Sequence, residues 1–169
     1  WNREVAALAA NTIAKDAIAE GVAVVLGPGV NMKRSPLCGR NFEYFSEDPY
    51  FAGDFAAAYI SAMQGNGVGS CIKHFAVNNQ ETRRFTVSAD VAARPLHETY
   101  LRAFEIAVQA AKPEAIMESY NRINGKHAAE SRWLLNDLLR KKWGFDGVVM
   151  SDWEAVNDRV ASLEAGLDL

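Results

Sequence analysis

Cysteine is scarce in this chain. Only Cys38 and Cys71 are present, without CxxC spacing. That is too few for a disulfide framework, and both read as buried free thiols. No apolar run reaches the roughly 18 residues that a membrane helix needs, so the chain is not expected to span a bilayer. Neither sign of charge dominates: 18 Lys and Arg stand against 21 Asp and Glu, a net charge of -3. No basic block is available to track a phosphate backbone, which argues against a nucleic-acid partner. Low-complexity segments and short internal repeats are also missing. With 49% of its residues apolar, the chain carries enough apolar surface to offset chain entropy, which excludes disorder.

The chain begins Trp1-Asn2-Arg3-Glu4, directly in a helical pattern, and stops at Gly166-Leu167-Asp168-Leu169 with no closing element. It has no initiator Met and no signal peptide, and is read as a piece of a longer protein. The missing leader therefore says nothing about compartment, and a bacterial cytoplasm and secretion both stay open.

From Glu4 to Ala19, Val5, Leu8, Ala9, Thr12, Ile13 and Ile18 recur near a 3.6 period, which predicts a helix burying that face, with Gly21 as its stop. Val22 to Leu26 is a short β-branched run, as in a strand covered on both faces. Asp48-Pro49 caps and opens a second helix, with Phe51, Phe55, Ala58, Tyr59, Ala62 and Met63 as its buried stripe. Val68 to Lys73 reads as the second strand, and Pro95 starts a helix burying Leu96, Tyr100, Leu101, Phe104, Ala107 and Val108. Glu114 to Ser119 is a third strand, followed by a helix capped by Ser131 with Leu134, Leu135, Leu138 and Leu139 inward. Gly147 to Ser151 is a fourth strand, and Ala155 to Ala165 a closing helix.

Such alternation implies a parallel α/β sheet, either doubly wound or a (β/α)8 barrel. Polar clusters follow every strand: Gly27 onward, Lys73-His74, Ser119-Tyr120-Asn121 and Ser151-Asp152-Trp153. A barrel builds its site from several strand ends in this way, whereas an open sheet gathers it at one switch point. The expected fold is therefore an incomplete (β/α)8 TIM-type barrel, with four of its eight strands, about half of the barrel, present.

Asp152, at the mouth of the fourth strand and beside Trp153, suits nucleophilic attack on an anomeric carbon, with the indole stacking on the sugar or its leaving group. The competing reading makes Asp152 the cap of the helix near Ala155. Lys73-His74, with Asn78, Asn79, Gln80, Glu81, Arg83 and Arg84 after it, is a donor-rich cluster of the kind that binds hydroxyls, or else a salt-bridged loop. Arg40 either projects into a pocket or pairs structurally with Glu43 or Glu47. Gly65 to Gly69 precedes a strand rather than following one, so it is a turn and not a phosphate loop. His97 and His127 have no partner at metal spacing and read as surface or helix-end residues. Glu98 and Glu105 need only solvation on a polar helix face.

Four runs, GRNFEYFSEDP (residues 39–49), KHFAVNNQETRR (73–84), SYNRING (119–125) and WGFDGVVMSDW (143–153), together resemble glycoside hydrolase family 3, in particular its bacterial β-glucosidases. They stand in the family's order and span nearly the whole chain. The resemblance implies that residues 1–169 are an internal portion of an N-terminal catalytic barrel domain. It implies a retaining enzyme that removes β-linked glucose from the non-reducing ends of glucosides or oligosaccharides. Carried over by position, Asp152 is the nucleophile, Arg40, Lys73 and His74 hold sugar hydroxyls, and Arg84 and Tyr120 are pocket residues nearby. Trp153 is the platform on the leaving-group side. The acid/base carboxylate comes from a second domain after the barrel, and neither metal nor organic cofactor is implied.

Departures from the family pattern are Glu154, where Gly is common after Asp-Trp, and Glu118, where a small or neutral residue is usual. Ala76-Val77-Asn78-Asn79 replaces the run that marks the N-acetylglucosaminidase branch, which argues against that branch. Rival readings are a β-xylosidase or dual-activity enzyme, and a non-catalytic sugar-binding protein. With four strands unable to close a barrel, the chain alone is expected to be poorly folded and inactive.

Overall fold

The structure, a computed structural model, describes residues 2–169; Trp1, read as the start of the helical pattern, lies outside them. The first helix, α1 (Arg3–Ala19), is capped by Asn2, whose side chain accepts the Glu4 N–H. Its buried face is not the predicted one. Ala6, Ala10, Ala14 and Ala17 face inward, while Val5 and Leu8 are 58% and 66% exposed and Ile13 and Ile18 also face out. Small side chains let two helices approach closely, and the alanines pack α1 onto α2 (Pro49–Gly65) through Met63, with Val68 just beyond. The larger apolar residues of α1 are left exposed.

Along α2 the same substitution of small for large occurs: Ala52, Gly53, Ala56, Ala57 and Ile60 are buried, and Met63 alone of the predicted stripe joins them. At Gly53 a Cβ would lie 2.8 Å from Ile106 Cβ and 3.0 Å from the Ala103 carbonyl, so only glycine lets α2 seat against α4 (Arg102–Ala111).

The main sheet holds β1 (Val24–Val25), β2 (Gly69–Phe75), β4 (Ala115–Glu118) and β7 (Val148–Met150), in that order and all parallel. A doubly wound sheet reverses direction at a switch point; here each strand adds beside the one before it, as in a barrel. Between β2 and β4 run β3 (Ser88–Ala89), a turn α3 (Ala93–Pro95), a π-helical turn Leu96–Tyr100 and then α4. β5 (Arg122–Ile123) and β6 (Lys126–His127) join β3 in a small second sheet. A π-helix, Trp133–Lys142, leads to β7, and α5 (Arg159–Ala165) follows. Beyond β7, Ser151 N–H donates to the Leu169 carbonyl and Asp168 N–H to the Val149 carbonyl, so the last residues run alongside β7.

Strand side chains alternate between two buried layers, the period of two expected of strands. Ile72, Phe75, Ile116 and Val149 meet the helix layer of Phe104, Leu134, Leu135 and Trp143. Cys71, Ala115 and Met117 pack with Met150 on the other face. Cys71 is buried, as read, but Cys38 is only half-buried. His127 is buried as well, bonded to Arg122 Nε at 3.0 Å and to Asn157, so it is not a surface residue. The predicted closing helix begins later than expected, at Arg159, with Asp158 as its cap.

Candidate active site

The residues read from the sequence converge at the C-terminal ends of β2, β4 and β7. Because Asp158 caps α5, Asp152 is released from the competing role of helix cap. Asp152 is nearly buried, and its Oδ1 accepts the Trp153 main-chain N–H at 2.8 Å. Its Oδ2 points into the protein, 3.5 Å from His74 Nε2, and has no hydrogen-bond partner.

His74 is 1% exposed. A buried asparagine, Asn31, clamps its main chain: Oδ1 accepts the His74 N–H at 2.7 Å, and Nδ2 donates to the His74 carbonyl at 2.8 Å. Burial, reinforced by Arg40, Lys73 and Arg84, lowers the His74 pKa from 6.5 to about 2. The ring is therefore neutral, and its approach to Asp152 is not an ion pair. A neutral imidazole has one donor and one acceptor. Tyr44 Oη lies 3.2 Å from Nδ1, and burial raises the Tyr44 pKa, so the phenol keeps its proton. The consistent assignment has Tyr44 donating to Nδ1 and Nε2–H turned to Asp152.

Arg40 and Lys73 meet on one carboxylate. Glu43, in a short 3-10 turn Asn41–Glu43, is 2.5 Å from Arg40 Nε through one oxygen and 3.3 Å from Lys73 Nζ through the other. Both alternatives for Arg40 thus hold together: it pairs with Glu43 and still lines the cleft. Arg84 donates to Glu81 at 2.7 Å and lies over Tyr120 and Phe85, 4.5 Å and 5.1 Å from their ring centres. Burial, together with Asp152 nearby, pushes the Tyr120 hydroxyl up to about 12, so it stays protonated.

These groups border an open cleft of about 500 Å³ lined by Arg40, Arg84, Phe85, Tyr120, Asp152, Trp153 and Glu154. Trp153 is 81% exposed, standing at the rim. Glu154 is exposed beside it at φ 61°, a left-handed conformation that favours glycine. Lys73 and His74 are not on the cleft wall; they sit behind it, reaching it through Glu43 and Asp152. A second cavity of about 450 Å³, lined by Asn78, Asn79, Gln80 and Asn121 among others, lies outside this group and contains none of the residues that the family resemblance places on the sugar.

Sequence reading missed Asn31 and Tyr44 altogether and took Glu43 only as a possible partner of Arg40. Glu43 had a signal, its i+3 spacing from Arg40; Asn31 and Tyr44 had none, because their roles depend on His74, 43 and 30 residues away. Glu118, noted as a departure, is fully buried next to Asp152 with neither carboxyl oxygen hydrogen-bonded.

The likenesses to known proteins cover the whole chain. Thermostable beta-glucosidase B of Acetivibrio thermocellus is 53% identical over all 169 residues, which span 22% of that protein. An exo-alpha-(1->6)-L-arabinopyranosidase of Bifidobacterium longum is 56% identical over the same span, again 22% of its length. Among solved structures, beta-glucosidase 3B from Thermotoga neapolitana in complex with glucose superposes with a TM-score of 0.98 at 49% identity, over 100% of this chain and 24% of that one. The chain therefore spans about a fifth to a quarter of the relatives it matches, and its parallel sheet is part of a TIM-type barrel. With the profile described as Glycosyl hydrolase family 3 N terminal domain matching residues 1–169, the chain belongs to glycosyl hydrolase family 3.

Proposed function

We propose that the chain is the nucleophile-bearing portion of a retaining β-glucosidase that releases terminal non-reducing β-D-glucosyl residues. The observation that carries the reading is the Asp152 carboxylate at the cleft, one oxygen on the Trp153 N–H and the other shielded against His74. Since Oδ2 is buried, Oδ1 is the oxygen that forms the bond to the anomeric carbon. The glycosidic bond breaks as this bond forms, and the leaving oxygen takes a proton from a second carboxyl. Water then hydrolyses the glycosyl ester with that carboxyl acting as base. Arg40 binds the hydroxyls of the sugar, with Lys73 and His74 behind it acting through Glu43 and Asp152, Arg84 and Tyr120 wall the pocket, and Trp153 stacks on the leaving-group side.

In this reading residues 1–169 are an internal portion of the N-terminal catalytic barrel domain. The acid/base comes from a second domain of the same polypeptide, in keeping with the greater length of the relatives. Glu43 and Glu81 are each committed to cations, and Glu118 cannot reach a substrate.

A second reading, an enzyme for pentopyranosides, is favoured by the 56% identity to an arabinopyranosidase. Such sugars, xylosides included, lack the C6 hydroxymethyl group, so the walls around C6 decide between them. The test is a 2-deoxy-2-fluoro β-glucoside with an activated leaving group, which needs no general acid. A mass increment mapped to Asp152 is the expected result, and a folded enzyme that takes no label overturns the reading. Relative kcat/KM for glucoside, xyloside and arabinopyranoside then ranks the sugars.

A further inference from the structure

Glu118 is the one departure from the family pattern that lies inside the protein. It ends β4, pairs with Phe75 of β2, and is 0% exposed. This burial comes entirely from β2, β4, β7 and the layers around them, so it does not depend on further chain closing the barrel. Neither of its oxygens has a full hydrogen bond among the described residues, and the polar group that approaches it is the main-chain N–H of Asp152. Both Glu118 oxygens thus stand beside Asp152 without a side-chain donor, whereas Asp152 itself faces His74 Nε2 and the Tyr120 hydroxyl. Burying a carboxylate unpaired is prohibitive, and the group keeps its proton instead.

The titratable groups around Glu118 are Lys73 and His74 on β2, Tyr120 after β4 and Asp152 after β7. On the helix side Phe104, Leu134, Leu135 and Trp143 carry none. Of these groups Asp152 alone registers on Glu118, through both its charge and its main-chain N–H. Burial first, and then the Asp152 charge, hold the Glu118 pKa well above 4.5. Full burial also rules Glu118 out as the acid/base, which must touch the glycosidic oxygen.

We propose that Glu118 is a positioning residue for Asp152, its neutral carboxyl bracing the main chain and the buried side of the segment that carries the nucleophile. The inference rests on Asp152 being the nucleophile. Loss of the Glu118 proton places a second, fully buried negative charge beside Asp152. The brace then becomes a repulsion, and activity falls on the alkaline side. When the glycosyl ester forms on Asp152, its charge disappears and the pressure on Glu118 is relieved until hydrolysis restores it.

The experiment compares the intact enzyme with its Glu118→Gln and Glu118→Ala variants on an aryl β-glucoside bearing an activated leaving group, so that the general acid does not define the alkaline limb. Glutamine cannot ionise, and the alkaline limb of kcat/KM is expected to move up by about one pH unit or more. Alanine removes the brace, and kcat is expected to fall about 10-fold or more while KM changes by less than about threefold. Infrared difference spectra at neutral pH should contain a protonated-carboxyl band that Glu118→Gln removes, a readout independent of turnover. Superimposable alkaline limbs for wild type and Glu118→Gln, or absence of that band, overturn the proposal. Unchanged turnover by Asp152→Ala instead overturns the nucleophile assignment, and the infrared band still reports on Glu118 by itself.

Discussion

Charge at single residues decides how this site behaves. Glu43 holds Arg40 and Lys73 together, and hydrogen bonds to charged groups contribute about 1.5–3 kcal/mol each. Glu43→Gln is therefore expected to lower kcat/KM about 10- to 100-fold, mostly through KM, as steady-state kinetics of the intact enzyme would show. Two buried groups should tilt stability in opposite directions with pH. The His74 pKa is lowered from 6.5 to about 2, so between those values the unfolded chain binds a proton that the folded chain refuses. Stability from this source is lost as pH falls below 6.5, by about 1.4 kcal/mol per pH unit. The Glu118 pKa is raised above 4.5, so the folded chain keeps a proton that the unfolded chain releases, and stability is lost as pH rises past 4.5. Urea midpoints measured from pH 4 to 7 should therefore gain slope in Glu118→Gln and lose it in His74→Gln. Asp152, Arg40, Lys73, His74, Arg84, Tyr120 and Trp153 were legible because each follows a strand end or sits in a recognisable run. Asn31 and Tyr44 were not, since a hydrogen bond to a distant residue leaves no local pattern.

Helices show where periodicity succeeds and where it misleads. On α4 and the π-helix the apolar residues that periodicity picks out, Phe104, Ala107 and Val108 and then Leu134, Leu135, Leu138 and Leu139, are the buried ones. On α1 and α2 the same rule chose the wrong face, because those helices meet through alanine and glycine, whose small contribution to hydrophobic periodicity hides their burial. At Gly53 two effects oppose each other: alanine gains about 1 kcal/mol in helix propensity, whereas overpacking costs about 1–3 kcal/mol. The Ala103 carbonyl is backbone and cannot rotate aside, so overpacking wins. Gly53→Ala is expected to lower the Tm of the intact enzyme, and a raised Tm would show that α2 and α4 can part freely. Asp48, whose side chain accepts the Phe51 N–H at 2.8 Å, should contribute about 1 kcal/mol as a cap, readable in the chemical denaturation of Asp48→Ala.

For the whole molecule, four strands in sequential order make an open sheet. Val24 and Val148 on its strands are exposed, as are Val5, Leu8 and Ile18 on α1. Residues 1–169 expressed alone are accordingly expected to bind a hydrophobic dye and to unfold over a broad urea range. A cooperative transition with the m-value normal for 169 residues would show that this half-barrel is stable by itself. Alternation of strand and helix, the polar residues after each strand and the ordered runs from Gly39 to Trp153 were enough to determine the fold class, the family and most of the candidate site. These are local signals, written in neighbouring residues. Tertiary structure alone decided that α1 buries alanines, that Glu43 joins Arg40 to Lys73, that His74 is neutral, and that Glu118 lies buried against Asp152. Each depends on contacts between residues far apart in the chain, where burial and the proximity of charge, rather than residue type, set the outcome.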